Sequence, residues 1–275
     1  MQQILSIAEL RVRLANESSV AFVPTMGNLH EGHIDLVRQA REQAKCVVVS
    51  VFVNPLQFGP SEDFDRYPRT LAEDSAKLEG LADVLFVPAA QEMYPLQQTV
   101  FIEPPPIANE LCGAVREGHF RGMATVVLKL LNMVQPQVAL FGKKDYQQLH
   151  IISQMVMQMN LPVRVIGGET VRALDGLALS SRNQYLTVQQ RAESVFLQQT
   201  LSAARQKILD GERDYAQIET NAAAALAQHG WQVEYVSVRG QATLSLPNSS
   251  EKALVILAAA RLGATRLIDN IEVFF

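Results

Sequence analysis

The segment Met26-Gly-Asn-Leu-His-Glu-Gly-His33 places two imidazoles three residues apart around a glycine. Residues at that spacing share one face of a helical turn, so His30 and His33 can address a single ligand. The run before them, Val20-Ala-Phe-Val23, is apolar and ends at Pro24, as a buried strand would. Behind them, Ile34 to Lys45 is amphipathic. Strand, glycine turn and helix start in that order aim free backbone N–H groups and a positive helix end at whatever lies above. That is the layout of an anion or phosphate site, here with two added imidazoles. The His-x-x-x-His zinc spacing is absent, which disfavours metal binding by the pair.

The elements that must position this segment follow from the alternation of apolar runs. Strands are expected at Val20–Val23, Cys46–Val53, Val84–Val87, Val100–Ile102, Val138–Phe141 and Val163–Ile166. Helices are expected at Ile34–Lys45, Leu71–Leu81, Met123–Met133 and Tyr146–Met159. Thr70 and Glu73 form a capping-box pattern. Apolar strands separated by amphipathic helices predict α/β architecture, a Rossmann-like parallel sheet covered on both faces. Ligands bind such sheets beyond the carboxyl ends of the strands. After Asn183 the pattern changes to a long helix, Thr187–Glu212, and an alanine-rich one, Tyr215–Gln228. Strands at Val233–Val238, Ala253–Ala259 and Thr265–Val273 follow. A smaller α+β unit is therefore expected, with the boundary near Asp175–Asn183. The expected division is residues 1–176 for the Rossmann-like ligand domain and 177–275 for a lid. Pro104-Pro-Pro106 reads as an extended spacer.

Composition narrows the class. The chain has 275 residues, 48% hydrophobic and 19% charged, which is ordinary for a globular protein. Its net charge of −4 gives no footprint for nucleic acid. No apolar stretch approaches membrane-spanning length. Cys46 and Cys112 suggest neither a disulfide framework nor a thiolate zinc site. With no signal-peptide pattern at the start, a cytoplasmic location is expected.

Further segments make the histidine signature specific. They are Asn54-Pro-Leu-Gln-Phe58, Tyr67-Pro-Arg-Thr70, His119-Phe-Arg-Gly122, Phe141-Gly-Lys-Lys-Asp-Tyr-Gln-Gln148 and Leu179-Ser-Ser-Arg-Asn183. The Gly-x-Leu-His-x-Gly-His arrangement resembles the nucleotidyltransferase superfamily, which shares it with class I aminoacyl-tRNA synthetases. The ordered set, from about residue 20 to 185, resembles the pantoate–β-alanine ligase family.

That resemblance implies a reaction. ATP activates the pantoate carboxylate as pantoyl adenylate, releasing pyrophosphate, and the β-alanine amine displaces AMP. It makes Met26, Gly27, Asn28, Leu29, His30, Glu31, Gly32 and His33 an ATP-binding segment, with His33 a proton donor to departing pyrophosphate. It implies that Gly142, Lys143, Lys144 and Asp145 hold ribose and phosphate, and that Val171 meets the adenine edge. Leu179, Ser180, Ser181 and Arg182 would grip the terminal phosphates. Asn54, Gln57 and Gln148 would hold pantoate, and Glu73 and Asp74 would serve Mg2+. It also implies a homodimer. The residue types suit the chemistry. A carboxylate nucleophile is already ionised at neutral pH, with a pKa near ~4. The site must instead offset repulsion between two anions, for which His30, His33, Lys144 and Arg182 are read as cations and Ser180 and Ser181 as donors.

Plainer readings stand beside these. Asn54 and Gln57 could merely close a turn around Pro55, and Lys144 and Asp145 could be a solvated first helical turn. Arg69 and Arg121 could be ion-pair partners, and His119 a loop or core-edge residue. Glu73 could be a capping carboxylate rather than a metal ligand. Two other functions share the histidine segment: a nucleotidyltransferase acting on a phosphate-bearing acceptor, and a non-catalytic ATP-sensing module.

Overall fold

The computed structural model describes residues 1–60, 62–248 and 251–275. In chain order the strands are β1 (Gln2–Ile4), β2 (Val20–Thr25), β3 (Cys46–Val51), β4 (Val84–Phe86), β5 (Val138–Gly142), β6 (Arg164–Gly168), β7 (Gln232–Gly240), β8 (Ala253–Leu262) and β9 (Thr265–Phe274). The helices are α1 (Ile7–Leu14), α2 (Glu31–Gln43), α3 (Leu71–Leu78), α4 (Ala90–Met93), α5 (Cys112–Val115), α6 (His119–Val134), α7 (Tyr146–Gln158), α8 (Val188–Glu193), α9 (Phe196–Leu209) and α10 (Tyr215–Gln228).

Six strands form a parallel sheet in the order β1-β4-β3-β2-β5-β6. Successive residues of a strand face opposite sides. Phe22, Val48 and Phe86 thus enter the layer under α6 and α7 with Met123, Leu130 and Ile151. Their neighbours Ala21, Val23, Val47 and Val49 enter the other layer, with Ile34, Val37 and Ala40 of α2 and Leu78 of α3. Burial on both faces is why these strands read as unbroken apolar runs. From β2 the chain runs outward one way through β3 and β4, and the other way through β5 and β6. The crevice at such a switch point lies between the carboxyl ends of β2 and β5. The histidine segment leaves the first, and the Lys144 segment leaves the second.

The antiparallel sheet β7-β8-β9 carries α9 and α10 on one face, packed through Leu201, Ile208, Ile218, Leu226, Trp231 and Ile256. Val255 and Leu257 on its other face meet Tyr146 and Leu111 of the first unit.

Three local expectations fail. Val100–Ile102 forms no strand. The prolines that follow cannot donate to a ladder, and the Ile102 N–H bonds Thr125 Oγ1 of α6 at 3.0 Å instead. The helix expected over Thr187–Glu212 is divided at Ser194 and Val195. There the buried Ser194 hydroxyl donates to the Arg191 carbonyl at 2.7 Å, a local bond that competes with the helical ladder. Thr70 makes no capping bond to its helix; its hydroxyl donates to Asp74 at 3.2 Å.

One close approach ties the fold to the site. A Cβ at Gly122 of α6 would lie 2.0 Å from the Leu56 carbonyl oxygen and 2.8 Å from the Gln57 nitrogen. Gly122→Ala must push the 55–57 turn away. Its expected cost is about 1–3 kcal/mol, read as a lower denaturation midpoint. An unchanged midpoint would show that the helix and turn are not in contact.

Candidate functional site

The β2–α2 junction fixes the histidines through their own ring nitrogens. His30 is the N-cap, and its Nδ1 accepts from the Gly32 N–H at 3.2 Å. His33 Nδ1 accepts from the His30 N–H at 3.3 Å. A neutral imidazole that accepts at Nδ1 carries its proton on Nε2. Both rings therefore present an Nε2–H donor, with ring centroids 4.1 Å apart. Gly32 leaves room for this, since a Cβ there would lie 3.0 Å from the His30 ring. Burial, with Lys144 and Lys77 nearby, lowers His30 to about 4. Burial, His30 and Lys144 lower His33 to about 3. The expectation that these histidines are cations is thus corrected: in the free protein they are neutral donors, because charging either inside this junction is unfavourable.

The β5–α7 junction supplies the charge. The Lys144 ammonium has no hydrogen bond or ion pair among the described residues. Asp145 lines the same cleft, where burial would raise its pKa. Lys144 and Arg182 outweigh that and hold it below the usual carboxylate range. The turn is anchored by β9. Asn270 donates to the carbonyls of Lys143 and Lys144 at 2.9 and 3.0 Å. Glu272 accepts from Lys143 at 3.0 Å and from the Tyr146 hydroxyl at 2.8 Å.

A third wall comes from the 54–58 turn. Asn54 caps it and is consumed internally, accepting from Leu56 N–H and the Tyr94 hydroxyl and donating to the Gly122 carbonyl and Gln57. Gln57 donates to Met26 Sδ at 3.3 Å. Below it lies His119. The Arg116 guanidinium can only donate, so His119 Nε2 accepts at 2.8 Å and its Nδ1–H donates to the Gln57 carbonyl at 2.8 Å. Burial, then Arg116, lowers His119 to about 4. The fourth wall is the 180–182 segment. Ser181 donates to the Asn28 carbonyl at 3.1 Å. Arg182 donates twice to Asp63, at 3.1 and 2.9 Å. The preceding acid, Glu62, likewise takes two bonds from Arg116, at 2.6 and 2.7 Å.

These walls enclose a cleft of about 220 Å³ at the switch point. It is lined by Met26, His30, Gly32, His33, Asn54, Gln57, Gly142, Lys144, Asp145, Gln148, Val171, Leu179, Ser180, Ser181 and Arg182. A cavity of about 470 Å³ between the two units shares the Lys144, Asp145, Gln148, Ser180 and Arg182 walls. Fifteen residues predicted from separate parts of the sequence thus converge, His30, His33, Lys144 and Arg182 among them.

Other expected residues lie elsewhere. Gly27 and Asn28 form the turn behind the cleft, with φ of +82° and +50°, and Leu29 is core. Glu31 pairs with Arg38 on the surface. Lys143 is paired with Glu169 and Glu272, so its ammonium is not available to phosphate. Of the expected metal pair Glu73 and Asp74, the structure gives Asp74 other partners. Asp74 is fully buried and accepts from Asn28 N–H at 2.9 Å and Leu29 N–H at 2.7 Å. Glu73 stands on the exposed face of α3, and no group of three His, Cys, Asp or Glu able to hold a metal exists among the described residues. Sequence reasoning missed Glu62, Asp63 and Arg116. Only their adjacency to recognised segments could have drawn attention to them.

A family model described as pantoate-beta-alanine ligase matches residues 1–272. The chain is 58% identical to a pantothenate synthetase of Methylobacillus flagellatus over 273 residues, 99% of this chain and 98% of the relative. It is 55% identical to that of Nitrosospira multiformis, with 99% and 98% covered. The crystal structure of pantothenate synthetase from Thermus thermophilus superposes with a TM-score of 0.95 at 43% identity, covering all of both chains. A pantoate-beta-alanine ligase from Francisella tularensis, complexed with beta-gamma ATP and beta-alanine, gives 0.84 at 34% identity over 98% and 97%.

The depressed histidines have a pH signature. Unfolded histidine protonates near ~6.5, while His30, His33 and His119 hold out to about 4, 3 and 4. The unfolded chain therefore binds more protons below ~6.5, and stability is full above that pH. As pH falls toward about 4, each histidine removes about 1.4 kcal/mol per pH unit. Imidazole 15N spectra at pH 6 should show the Nε2–H tautomer for His30 and His33. Doubly protonated rings at that pH would refute the capping geometry.

Proposed function

The chain belongs to the pantoate–β-alanine ligase family, and from that premise we propose how its cleft carries out the family's reaction. The enzyme condenses pantoate with β-alanine to pantothenate at the expense of ATP. The observation that carries the site reading is the meeting, at the switch point, of two Nε2–H donors with an unpaired Lys144 ammonium.

In this reading a pantoate carboxylate oxygen attacks the α-phosphorus as the bond to the bridging oxygen breaks, giving pantoyl adenylate and pyrophosphate. No base is needed for a group already ionised. The barrier is the approach of one anion to another, which preorganised donors lower without reorganising. Lys144 neutralises charge growing on the phosphate oxygens, and the two imidazoles hydrogen-bond to it through Nε2. Neutral imidazoles suit this task because they donate without trapping the product anion. Asp145, an acceptor without a partner, suits the ribose hydroxyls. Gln57 and Gln148 hold pantoate by neutral amides, which leave its carboxylate free to react. Asn54 acts at one remove, by fixing Gln57. The triphosphate enters as its magnesium complex; Asp74, with both oxygens taken by backbone N–H groups, is not free to hold the ion.

Arg182 serves the terminal phosphates by exchanging partners. Asp63 occupies it in the free protein, and the incoming phosphate replaces that carboxylate. In the second step the β-alanine nitrogen attacks the acyl carbon, AMP leaves, and the departing phosphate is the nearest acceptor for the amine proton. Water must be kept from the adenylate, a task for residues 177–275 as a lid hinged near Asp175 and Gly176. The family resemblance also carries a homodimer and a cytoplasmic location into this reading. Among the described residues no helix is long and apolar enough to cross a membrane.

Exchange of labelled pyrophosphate into ATP that requires pantoate tests the reading directly. Exchange with a different acceptor would assign another nucleotidyltransferase, and ATP binding without exchange a sensor. Lys144→Ala should slow exchange by about 10²–10³-fold with folding retained, in line with roughly 3–4 kcal/mol for a lost charge-stabilising donor. Gln148→Ala should raise the half-saturating pantoate concentration; an unmoved value counts against its contact. Asp63→Asn should lower half-saturating ATP about fivefold, from release of a partly exposed pair worth about 1 kcal/mol. Unchanged or weakened ATP binding would mean that Asp63 does not compete with phosphate.

A further inference from the structure

Two charged residues outside the cleft hold the turn from which the histidines start. Asp74 and Lys77 sit three apart on α3, a spacing that on an exposed helix face signals a mutual ion pair. They do not pair with each other. Both reach the same peptide segment 45 and more residues earlier in the chain. One Asp74 oxygen accepts from the Leu29 N–H at 2.7 Å, and the other accepts from the Asn28 N–H at 2.9 Å and the Thr70 hydroxyl at 3.2 Å. Lys77 Nζ donates to the Leu29 carbonyl at 2.6 Å. The remaining polar group of this dipeptide, the Asn28 carbonyl, accepts from Ser181 at 3.1 Å.

Every backbone donor and acceptor of Asn28 and Leu29 is therefore held by a side chain rather than by a helix or sheet ladder. The turn needs such support. Gly27 and Asn28 both have positive φ, +82° and +50°, and for Asn28 that is a sparsely populated conformation. Its outlet is His30, whose extended backbone, φ −125° and ψ 174°, starts α2 and directs both capping rings. A side chain at position 27 would also meet Asp74 Oδ2, 3.2 Å from a built Cβ, so carboxylate and turn are packed face to face. Ser181 belongs to the segment assigned to the terminal phosphates. One small turn thus sets the histidines and that segment relative to each other.

We propose that Asp74 and Lys77 are positioning residues for the reaction: together they clamp the 27–29 turn so that the two Nε2–H donors and the Ser181 segment face the same triphosphate. The proposal rests on the adenylate-forming reading above. Asp74 acts through backbone bonds and touches neither substrate nor metal.

Asp74→Asn is the test, because it keeps the volume but turns one acceptor into a donor facing a backbone N–H. Pantoate-dependent exchange by the wild-type protein is the control for the underlying reading. Given that control, the variant should lose 10- to 100-fold in the exchange rate at saturation, with half-saturating ATP and Mg2+ moved less than threefold. In the free protein, imidazole 15N spectra should show His30 and His33 leaving the pure Nε2–H tautomer. A purely structural role would lower the denaturation midpoint while leaving the rate per folded molecule and the imidazole signals in place, and that result overturns the proposal. A several-fold rise in half-saturating Mg2+ with unaltered imidazole signals would make Asp74 a metal ligand, and overturns it equally. If Asp74→Asn does not fold, Lys77→Met is read in the same assays. Its side chain lies at the surface, and a three- to tenfold loss of rate with shifted imidazole signals is expected; wild-type values for both would overturn the clamp.

Discussion

The site depends on an exchange of hydrogen bonds at the start of α2, in which each histidine ring gives its Nδ1 lone pair to a backbone N–H of the same turn. The first turn of a helix has N–H groups with no partner inside the helix. Serine, aspartate or asparagine ordinarily accepts from them. Imidazole does the same work here with one difference: accepting at Nδ1 leaves a proton at Nε2, on the far side of the ring. Capping and donor orientation become one constraint. The geometry that completes the helix also fixes the tautomer needed above it, and burial keeps both rings neutral.

Charge is distributed around these donors with an economy of free groups. Lys144 stands unpaired, while Arg182 and Arg116 are each held by a carboxylate from the 62–63 segment. Among the described residues that line the cleft, one cation is thus open and two are occupied by carboxylates. Such occupancy reduces repulsion among the basic groups when the cleft is empty. Arg116 has a second task through neutral His119, which anchors the Gln57 backbone. The acidic segment is thereby linked to the 54–58 turn as well as to the 180–182 segment.

The C-terminal sheet takes part from behind. Asn270 and Glu272 hold the turn that carries Lys144, and Arg172, in the connection between units, makes two bonds to Asp269. Position of the C-terminal unit and position of the Lys144 ammonium are therefore coupled. This explains why a turn with no capping side chain of its own can hold an unpaired lysine in a defined place.

Sequence alone determined the parallel sheet and the smaller antiparallel unit after it, and it picked out His30, His33, Gln57, Lys144, Gln148 and Ser180 to Arg182, which line one cleft. These are local readings: apolar period, turn residues and motif order are properties of short stretches. Tertiary structure alone decided the protonation of the histidines, the true partners of Asp74 and Lys77, the acidic occupants of Arg116 and Arg182, and the loss of Lys143 to Glu169 and Glu272. Asp74 reads as a metal ligand until its oxygens are seen filled by N–H groups of residues 28 and 29. Asp63 and Arg182 lie 119 residues apart. Side chains that pair across such distances are selected by how helices and loops pack, and desolvation acts only once that packing exists.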